Sequence, residues 1–198
     1  IESFTEAAKK AGVQKLVLLS GRGEEEAQLC EKIVINSGLE WGIVRASWFM
    51  QNFSEGFFLD SILSGHAILP KGSAPEPFVD ADDIADMAVK ALTDDKHSKK
   101  LYELTGPELL TFKEIFSAVS TALDRPIIYE EVSMEEYVEL LKKYKVPDEY
   151  IWLIKYLFTE VFDGRNESIV NDIENVLGRK PTSFKAYIEK TKKTGIWN

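Results

Sequence analysis

The sequence predicts an α/β fold in which a parallel sheet is wound on both faces by helices and followed by a mostly helical region. Three observations predict it. The first 45 residues alternate helix, strand, helix, strand, the order of right-handed βαβ crossovers. Both strands, Lys15–Ser20 and Trp41–Arg45, are short apolar runs without polar alternation, as suits burial on both faces of a parallel sheet. The second half of the chain carries almost only helical periodicity.

The elements follow in order. Residues 1–11 are amphipathic, with Phe4, Ala7, Ala8 and Ala11 on one face, and Gly12 suits the left-handed residue after a helix. The first strand ends at Ser20-Gly21. Residues 24–36 read as a helix with Leu29, Ile33 and Val34 inward, and Glu24, Glu25 and Glu26 occupy its first turn, where the helix dipole favours carboxylates. Ser37-Gly38 ends it and Trp41–Arg45 follows. A helix is expected near 56–63, a short strand at 67–69, and a loop marked by Pro70, Gly72, Pro75 and Pro77. Residues 81–92 read as a helix, 101–104 as a strand ended by Thr105-Gly106-Pro107, and 112–123 as a helix with Thr111 and Glu114 at capping-box spacing. A strand at 127–129 precedes helices over about 133–144, 147–162, 167–177 and 182–193, two of them opened by Pro147 and Pro181. Residues 1–106 are therefore assigned to the sheet domain and 107–198 to a mainly helical, substrate-side region.

Composition narrows the function. Hydrophobic residues make up 44% of 198, enough for a core. No apolar run approaches the length of a membrane span, and no secretory leader is visible. The lone Cys30 has no internal disulfide partner, which fits a cytoplasmic protein. A formal charge of −9 without a dense Lys/Arg block argues against direct nucleic-acid binding. Ile1 falls inside a helical pattern that lacks a cap, so sequence upstream of it is expected. Losing neighbouring strands would leave an apolar edge, so marginal stability or self-association as a homo-oligomer is expected, and a protein partner is the other association open to it.

Candidate site residues cluster where the strands end, because ligands of open α/β sheets lie beyond the carboxyl ends of the strands. Ser20, Gly21 and Arg22 leave the first strand with small side chains that admit a ligand close to the backbone, or form a plain turn. Arg45 either contacts a ligand or pairs with a buried carboxylate. Trp48, Phe49 and Asn52 leave the second strand, and two rings with one amide suit a flat ligand; Met50 and Phe53 read as core. Phe78-Val79-Asp80 precedes a helix, and Asp80 or Asp82 is most simply its N-cap. His66 and His97 stand alone, so no metal site is expected.

Several stretches in sequence order resemble the NmrA-like branch of the atypical short-chain dehydrogenases. Ala7-Ala8-Lys9-Lys10-Ala11-Gly12-Val13 with Leu16–Gly21 is similar to the family's "AAKxAGVxxxVxLSS". Glu31, Ser37-Gly38-Leu39 and Ile43–Asn52 resemble its "E…SGL.WTIVRP..FMQN" block. Phe78–Ala85 and Tyr102–Pro107 match "VDVxDIA" and "YELTGP". The resemblance covers residues 7–107 and implies a Rossmann-like fold that binds NADP or NAD.

By the same resemblance, Ser20, Gly21 and Arg22 lie near the nicotinamide ribose, and Ala46, Ser47, Trp48 and Phe49 pass under the nicotinamide ring. Trp48, Phe49, Asn52, Phe53 and Phe78 face a small-molecule acceptor. The implied activities are reduction of a planar acceptor such as a quinone, or cofactor sensing without catalysis through a protein partner. Two departures bear on this. No glycine-rich phosphate loop follows a first strand, so the chain is expected to bind a dinucleotide weakly by itself. The Tyr-x-x-x-Lys pair of ordinary short-chain dehydrogenases is replaced by Gly23 and Ala27, which leaves no assignable catalytic residue and disfavours sugar-nucleotide epimerisation.

Overall fold

A computed structural model describes residues 1–72 and 74–198. Strands β1 (Lys15–Gly21), β2 (Glu40–Ala46) and β4 (Lys100–Leu104) form one parallel sheet in the order β1-β2-β4. Helices α1 (Glu2–Lys10), α2 (Glu25–Ile35), α4 (Ala81–Thr93) and α8 (Asp172–Leu177) surround it. Adjacent residues of a strand face opposite sides of a sheet. Val44 packs with Ile84 and Met87 of α4, while Arg45 reaches Glu31 of α2, so the two helices cover opposite faces. This is the doubly wound arrangement expected. Gly42 sets the spacing on the α4 side, since a methyl there would stand 3.2 Å from the Ala91 side chain.

Helix ends follow local chemistry. Gly12 takes a φ of +77° directly after α1, as a left-handed terminator should. Asp80 caps α4 by accepting from the Asp82 amide at 3.1 Å. Helix α5 (Phe112–Leu123) opens with the expected box: the Thr111 hydroxyl accepts from the Glu114 amide and Glu114 accepts from the Thr111 amide. Ser133 and Glu136 form a second box at the start of α6 (Met134–Lys143).

The chain contacts divide into two compact units that interleave along the sequence. The first comprises residues 1–49, 78–107 and 169–182; the second comprises 50–77, 108–168 and 183–198. The strand expected near 67–69, β3 (His66–Pro70), lies outside the three-stranded sheet. It pairs in parallel with β5 (Ile128–Val132) in the second unit. Arg125, just before β5, donates to the carbonyls of Ile62 and Leu63 in α3 (Leu59–Ser64), which holds β5 beside β3.

Helix α7 (Asp148–Tyr156) gives way to a π turn at Leu157–Val161, where one continuous helix was expected. Helix α8 begins at Asp172, five residues later than its periodicity suggests. The Thr105 hydroxyl bonds both the amide and the carbonyl of Val170, and the Asp172 carboxylate accepts from the Glu103 amide, so the segment before α8 is committed to the end of β4.

The second unit has an aromatic core. Phe53, Phe58, Phe112 and Phe116 are fully buried, with Phe53 and Phe58 stacked at 4.9 Å. Helix α9 (Phe184–Lys192) leads to Trp197, which is 1% exposed and donates its indole N–H to the Phe53 carbonyl at 2.7 Å. Replacing Trp197 with Ala removes both the ring and that bond, and should cost about 3–5 kcal/mol in denaturant titrations.

Among the described residues β1 has one strand neighbour, β2. Between β1, β2 and α4 runs an apolar trough of about 310 Å³ lined by Val17, Leu19, Val44, Phe49, Ile84 and Leu92. Leu19 and Leu92 are each about half exposed. An unpaired apolar edge invites strand pairing. The chain should therefore self-associate in sedimentation runs, and Leu19→Lys should shift it toward monomer with an unchanged circular dichroism spectrum. A strict wild-type monomer would refute the expectation.

Candidate functional site

The carboxyl ends of β1, β2 and β4 carry a continuous ion network. The strand register sets Ser20 opposite Arg45 and Arg45 opposite Glu103, three neighbours on one face. Arg45 grips Glu31 of α2 with two bonds of 2.9 and 2.6 Å and donates a third, of 2.9 Å, to Glu103. Arg22, just past β1, donates to the other Glu103 oxygen at 3.1 Å. Glu31 is 3% exposed. Burial works to raise its carboxyl, but the two bonds from the Arg45 guanidinium and its positive charge outweigh burial and hold the group below the usual carboxylate range. Of the two roles open to Arg45 in the sequence, the structure shows the pairing with a buried carboxylate. Arg22 is likewise buried and engaged with Glu103.

Above this network lies the turn between β1 and α2. Gly21 pairs with Ala46, and the Arg22 amide donates to the Ala46 carbonyl. A side chain at Gly21 would collide with the carboxylate of Glu24, which folds back over this residue. Glu24 caps no helix amide, and half-burial raises its carboxyl. Next to Ala46, the Ser47 amide donates to the Leu104 carbonyl, while its hydroxyl is buried and has no hydrogen-bond partner among the described residues. A buried hydroxyl left unbonded costs about 1–3 kcal/mol, so a water or a ligand that bonds it stabilises the fold.

The segment after β2 is held in place by backbone bonds. The Trp48 carbonyl accepts from the Val79 amide at 2.9 Å, and Phe49 bridges Val79 in parallel. Phe49 packs on the core formed by Val44, Ala46, Val79 and Leu104, and Trp48 is partly exposed. Ser20, Gly21, Arg22, Ala46, Ser47, Trp48 and Phe49 therefore share one end of one sheet. Phe78 belongs to the same unit and is 1% exposed.

Asn52 and Phe53 fall in the second unit. The Asn52 amide packs over Gly56, where a methyl would stand 3.0 Å from its oxygen. Phe53 is enclosed by Phe58, Phe112, Phe116 and Phe184, as its reading as core expected.

The structure adds Glu24, Glu31 and Glu103 to the residues picked from sequence. Their only sequence signals were the first-turn position of Glu24 and the motif positions of Glu31 and Glu103. Among the described residues no cluster of three possible metal ligands occurs, and no helix is long and apolar enough to cross a membrane.

The strand-end residues fit one half of a dinucleotide better than the other. Ser47 offers one buried, unbonded hydroxyl, while the space over Gly21 is taken by the Glu24 carboxylate. The glycine turn of this βα unit is instead rimmed by Glu24, Glu25 and Glu26. A helix amino terminus attracts phosphate through its free amides, and three carboxylates there oppose that attraction.

The profile of the NmrA-like family matches residues 3–193. Prestalk A differentiation protein A of Dictyostelium discoideum is 29% identical over 95% of the chain, which spans 63% of that protein's length. Festuclavine synthase II of Penicillium roqueforti is 31% identical over 96% of the chain and 68% of its own length. Among solved structures, the Citrobacter sp. triphenylmethane reductase complexed with NADP(H) superposes with a TM-score of 0.81 at 21% identity, over 96% of this chain and 69% of that one, which shows a shared fold.

The ion network generates a test with a definite sign. Replacing Arg45 with Met strands a buried carboxylate and should cost about 3 kcal/mol at neutral pH. A carboxyl held lower in the fold than in the unfolded chain stabilises the fold above its ordinary value of 4.5 and loses that contribution as pH falls through the folded one. Melting temperature should therefore drop as pH is lowered below 4.5, and Glu31→Gln should flatten that drop while lowering stability at pH 7. A parallel decline in both proteins would exclude Glu31 as its source.

Proposed function

Because this chain belongs to the NmrA-like family, we propose that it forms the nicotinamide-side and acceptor-side part of an NAD(P)H-dependent oxidoreductase that reduces a small planar acceptor such as a quinone or a dye. The observation that carries the reading is the strand-end floor. Gly21, the unbonded Ser47 hydroxyl and the Trp48-Phe49 segment lie together at the carboxyl ends of parallel strands, where α/β folds build ligand sites. A similar fold in a triphenylmethane reductase that binds NADP(H) supports it, as does a relative named as an NAD(P)H azoreductase.

The cofactor supplies hydride when bound; the chain's residues bind, orient and exclude water. Gly21 leaves room over the strand end that the Glu24 side chain fills, so a ring or ribose reaches the backbone there when that flexible side chain swings aside. Ser47 offers one hydroxyl to a polar group of the ligand, which would end its own unsatisfied state. Trp48 and Phe49 are held by bonds to Val79 and present aromatic surface, and placing two flat partners in reacting geometry is itself worth a large part of a barrier. A Tyr donor is replaced by Gly23. That loss matters for ketones, whose reduction builds an alkoxide and gains about 10²–10⁴-fold from a positioned acid. Quinones and cationic dyes give delocalised or neutral products, so orientation can carry more of the rate.

Steady-state assays with NADPH and NADH against quinones, dyes, aldehydes and ketones test the reading. Turnover of quinones or dyes with little carbonyl reduction is expected. Efficient ketone reduction would overturn the mechanism, and silence on every acceptor combined with tight cofactor binding would favour a sensor. Asn52→Ala should lower acceptor turnover by about tenfold, the order of one hydrogen bond, at unchanged melting temperature. Unfolding without a selective kinetic effect would make Asn52 structural.

A further inference from the structure

The two edges of the three-stranded sheet are finished differently. Along β4 the outer edge is taken: the Asp172 carboxylate accepts from the Glu103 amide, and the Thr105 hydroxyl bonds Val170. Along β1 it is open among the described residues. The Arg22 amide donates to Ala46 and the Gln14 carbonyl accepts from Glu40, so the even-numbered residues of β1 turn their backbone groups toward β2. Lys15, Val17, Leu19 and Gly21 therefore present their amides and carbonyls to the open edge. On an edge strand such groups form a template for another strand.

The side-chain positions of these four residues lie on the α4 face, because Ser20, one position away, is registered against Arg45 on the α2 face. Val17 and Leu19 line the apolar trough, and Leu19 is half exposed. The strand thus has a lysine at one end and an apolar middle. At its other end is a glycine whose side-chain space holds the Glu24 carboxylate. Reversed end for end, this order is its own complement. When β1 is laid antiparallel on a second β1 with Leu18 on the two-fold axis, Val17 meets Leu19 of the other copy, and Lys15 meets Gly21. Opposed Cβ positions in such a pair are about 4.5–5.5 Å apart. The Glu24 carboxylate occupies the Cβ position of Gly21, so the Lys15 side chain of the other copy reaches it. All seven residues of the strand are then paired, and the odd-numbered ones exchange both backbone bonds. Moving the register by two residues either way sets Lys15 against Leu19 or past the end of the strand and leaves fewer residues paired.

We propose that this chain forms a two-fold dimer by antiparallel pairing of β1 with β1 of a second copy, closed at each end by Lys15 of one copy and Glu24 of the other. The pairing sets a lysine of the second copy at the strand-end turn, so that part of the candidate site is built by two chains. The dimer does not grow further, because pairing uses up both open edges and β4 is covered. It stands whether or not the chain is an oxidoreductase. Within its own chain Lys15 pairs with Asp95 at 3.2 Å, but that carboxylate is fully exposed and competes weakly.

Sedimentation equilibrium of the full chain tests the pairing. Wild type should be a monomer–dimer system with no larger species. Lys15→Glu sets carboxylate against carboxylate at both ends, and Glu24→Lys sets ammonium against ammonium. Each alone should raise the dimer Kd about tenfold, since two attractions per dimer become two repulsions. Mixed in equal amounts, the two variants place opposite charges at both ends and should form a heterodimer as tight as wild type. Asp95→Asn should leave Kd unchanged. Cross-linking reads the register. In a Cys30→Ala background, Leu18→Cys puts two thiols across the axis, with Cα atoms about 4.5 Å apart and within disulfide reach, and should cross-link on oxidation. In Leu16→Cys the two copies stand about 13 Å apart and should not. Circular dichroism checks that each variant folds.

A wild-type monomer at every concentration, association that grows past the dimer, or single reversals and their mixture with the same Kd would each overturn the proposal. So would an Asp95→Asn chain weakened as much as Lys15→Glu, or cross-linking as fast in Leu16→Cys as in Leu18→Cys. Association lost in Leu19→Lys yet indifferent to both charge reversals would mean that something other than β1 of a second copy fills the trough, and overturns it as well.

Discussion

The grip of Arg45 on Glu31 and Glu103 is the constraint on which the rest of the sheet end depends. It ties α2 to β2 through Glu31 and β2 to β4 through Glu103, and Arg22 closes the network from the turn after β1. A buried ion pair earns little net stability against a well-packed apolar replacement, because desolvation offsets the Coulomb attraction. What it supplies is geometry. A one-residue slip of β4 against β2 would turn Glu103 to the wrong face and take an acceptor from both Arg22 and Arg45. That penalty falls on alternative registers, not on the native one. With the register fixed, Gly21 stands beside Ala46 and Glu24 is carried back over Gly21.

Much of this architecture could be read from local chemistry. Apolar runs at Lys15–Ser20 and Trp41–Arg45 identify parallel strands because both faces of such a strand must be covered. Thr111 and Glu114, or Asp80 and Asp82, identify helix starts because amides in a first turn need acceptors. Where the reading differs from the structure, the deciding contact is distant in sequence. Val170 and Asp172 look helical by periodicity, but Thr105 and the Glu103 amide claim them. The strand at His66–Pro70 has the composition of a sheet-domain strand, yet its partner is Ile128–Val132, some 60 residues later. No local rule records which partner a short apolar strand will find.

The site was legible in its location and less so in its chemistry. Trp48, Phe49 and Asn52 stand out because they follow the end of a parallel strand, a topological fact, whereas Ser47 enters only through the family resemblance. Phe53 carried two readings, core by its apolar character and acceptor wall by family resemblance, and the ring lies in the aromatic core beneath the Trp197 indole. Trp197 gave no signal, since a single Trp near a chain end has no periodicity to belong to. Glu24 was legible only as one of three first-turn carboxylates. Its different role comes from the missing side chain at Gly21, three residues earlier, and neither residue is distinctive without the turn that brings them together.

That turn also explains how one βα unit can take opposite charge preferences. A strand–turn–helix with two glycines exposes amides and a positive helix end, the usual elements of a phosphate site. Gly21 and Gly23 supply the turn here, and Gly23 takes a φ of +78°. Glu24, Glu25 and Glu26 follow at the amino end of α2, where carboxylates offset the helix dipole and weaken its pull on an anion. The same backbone turn therefore carries the geometry of an anion site without its electrostatics, and the side chains of the first helical turn decide between the two.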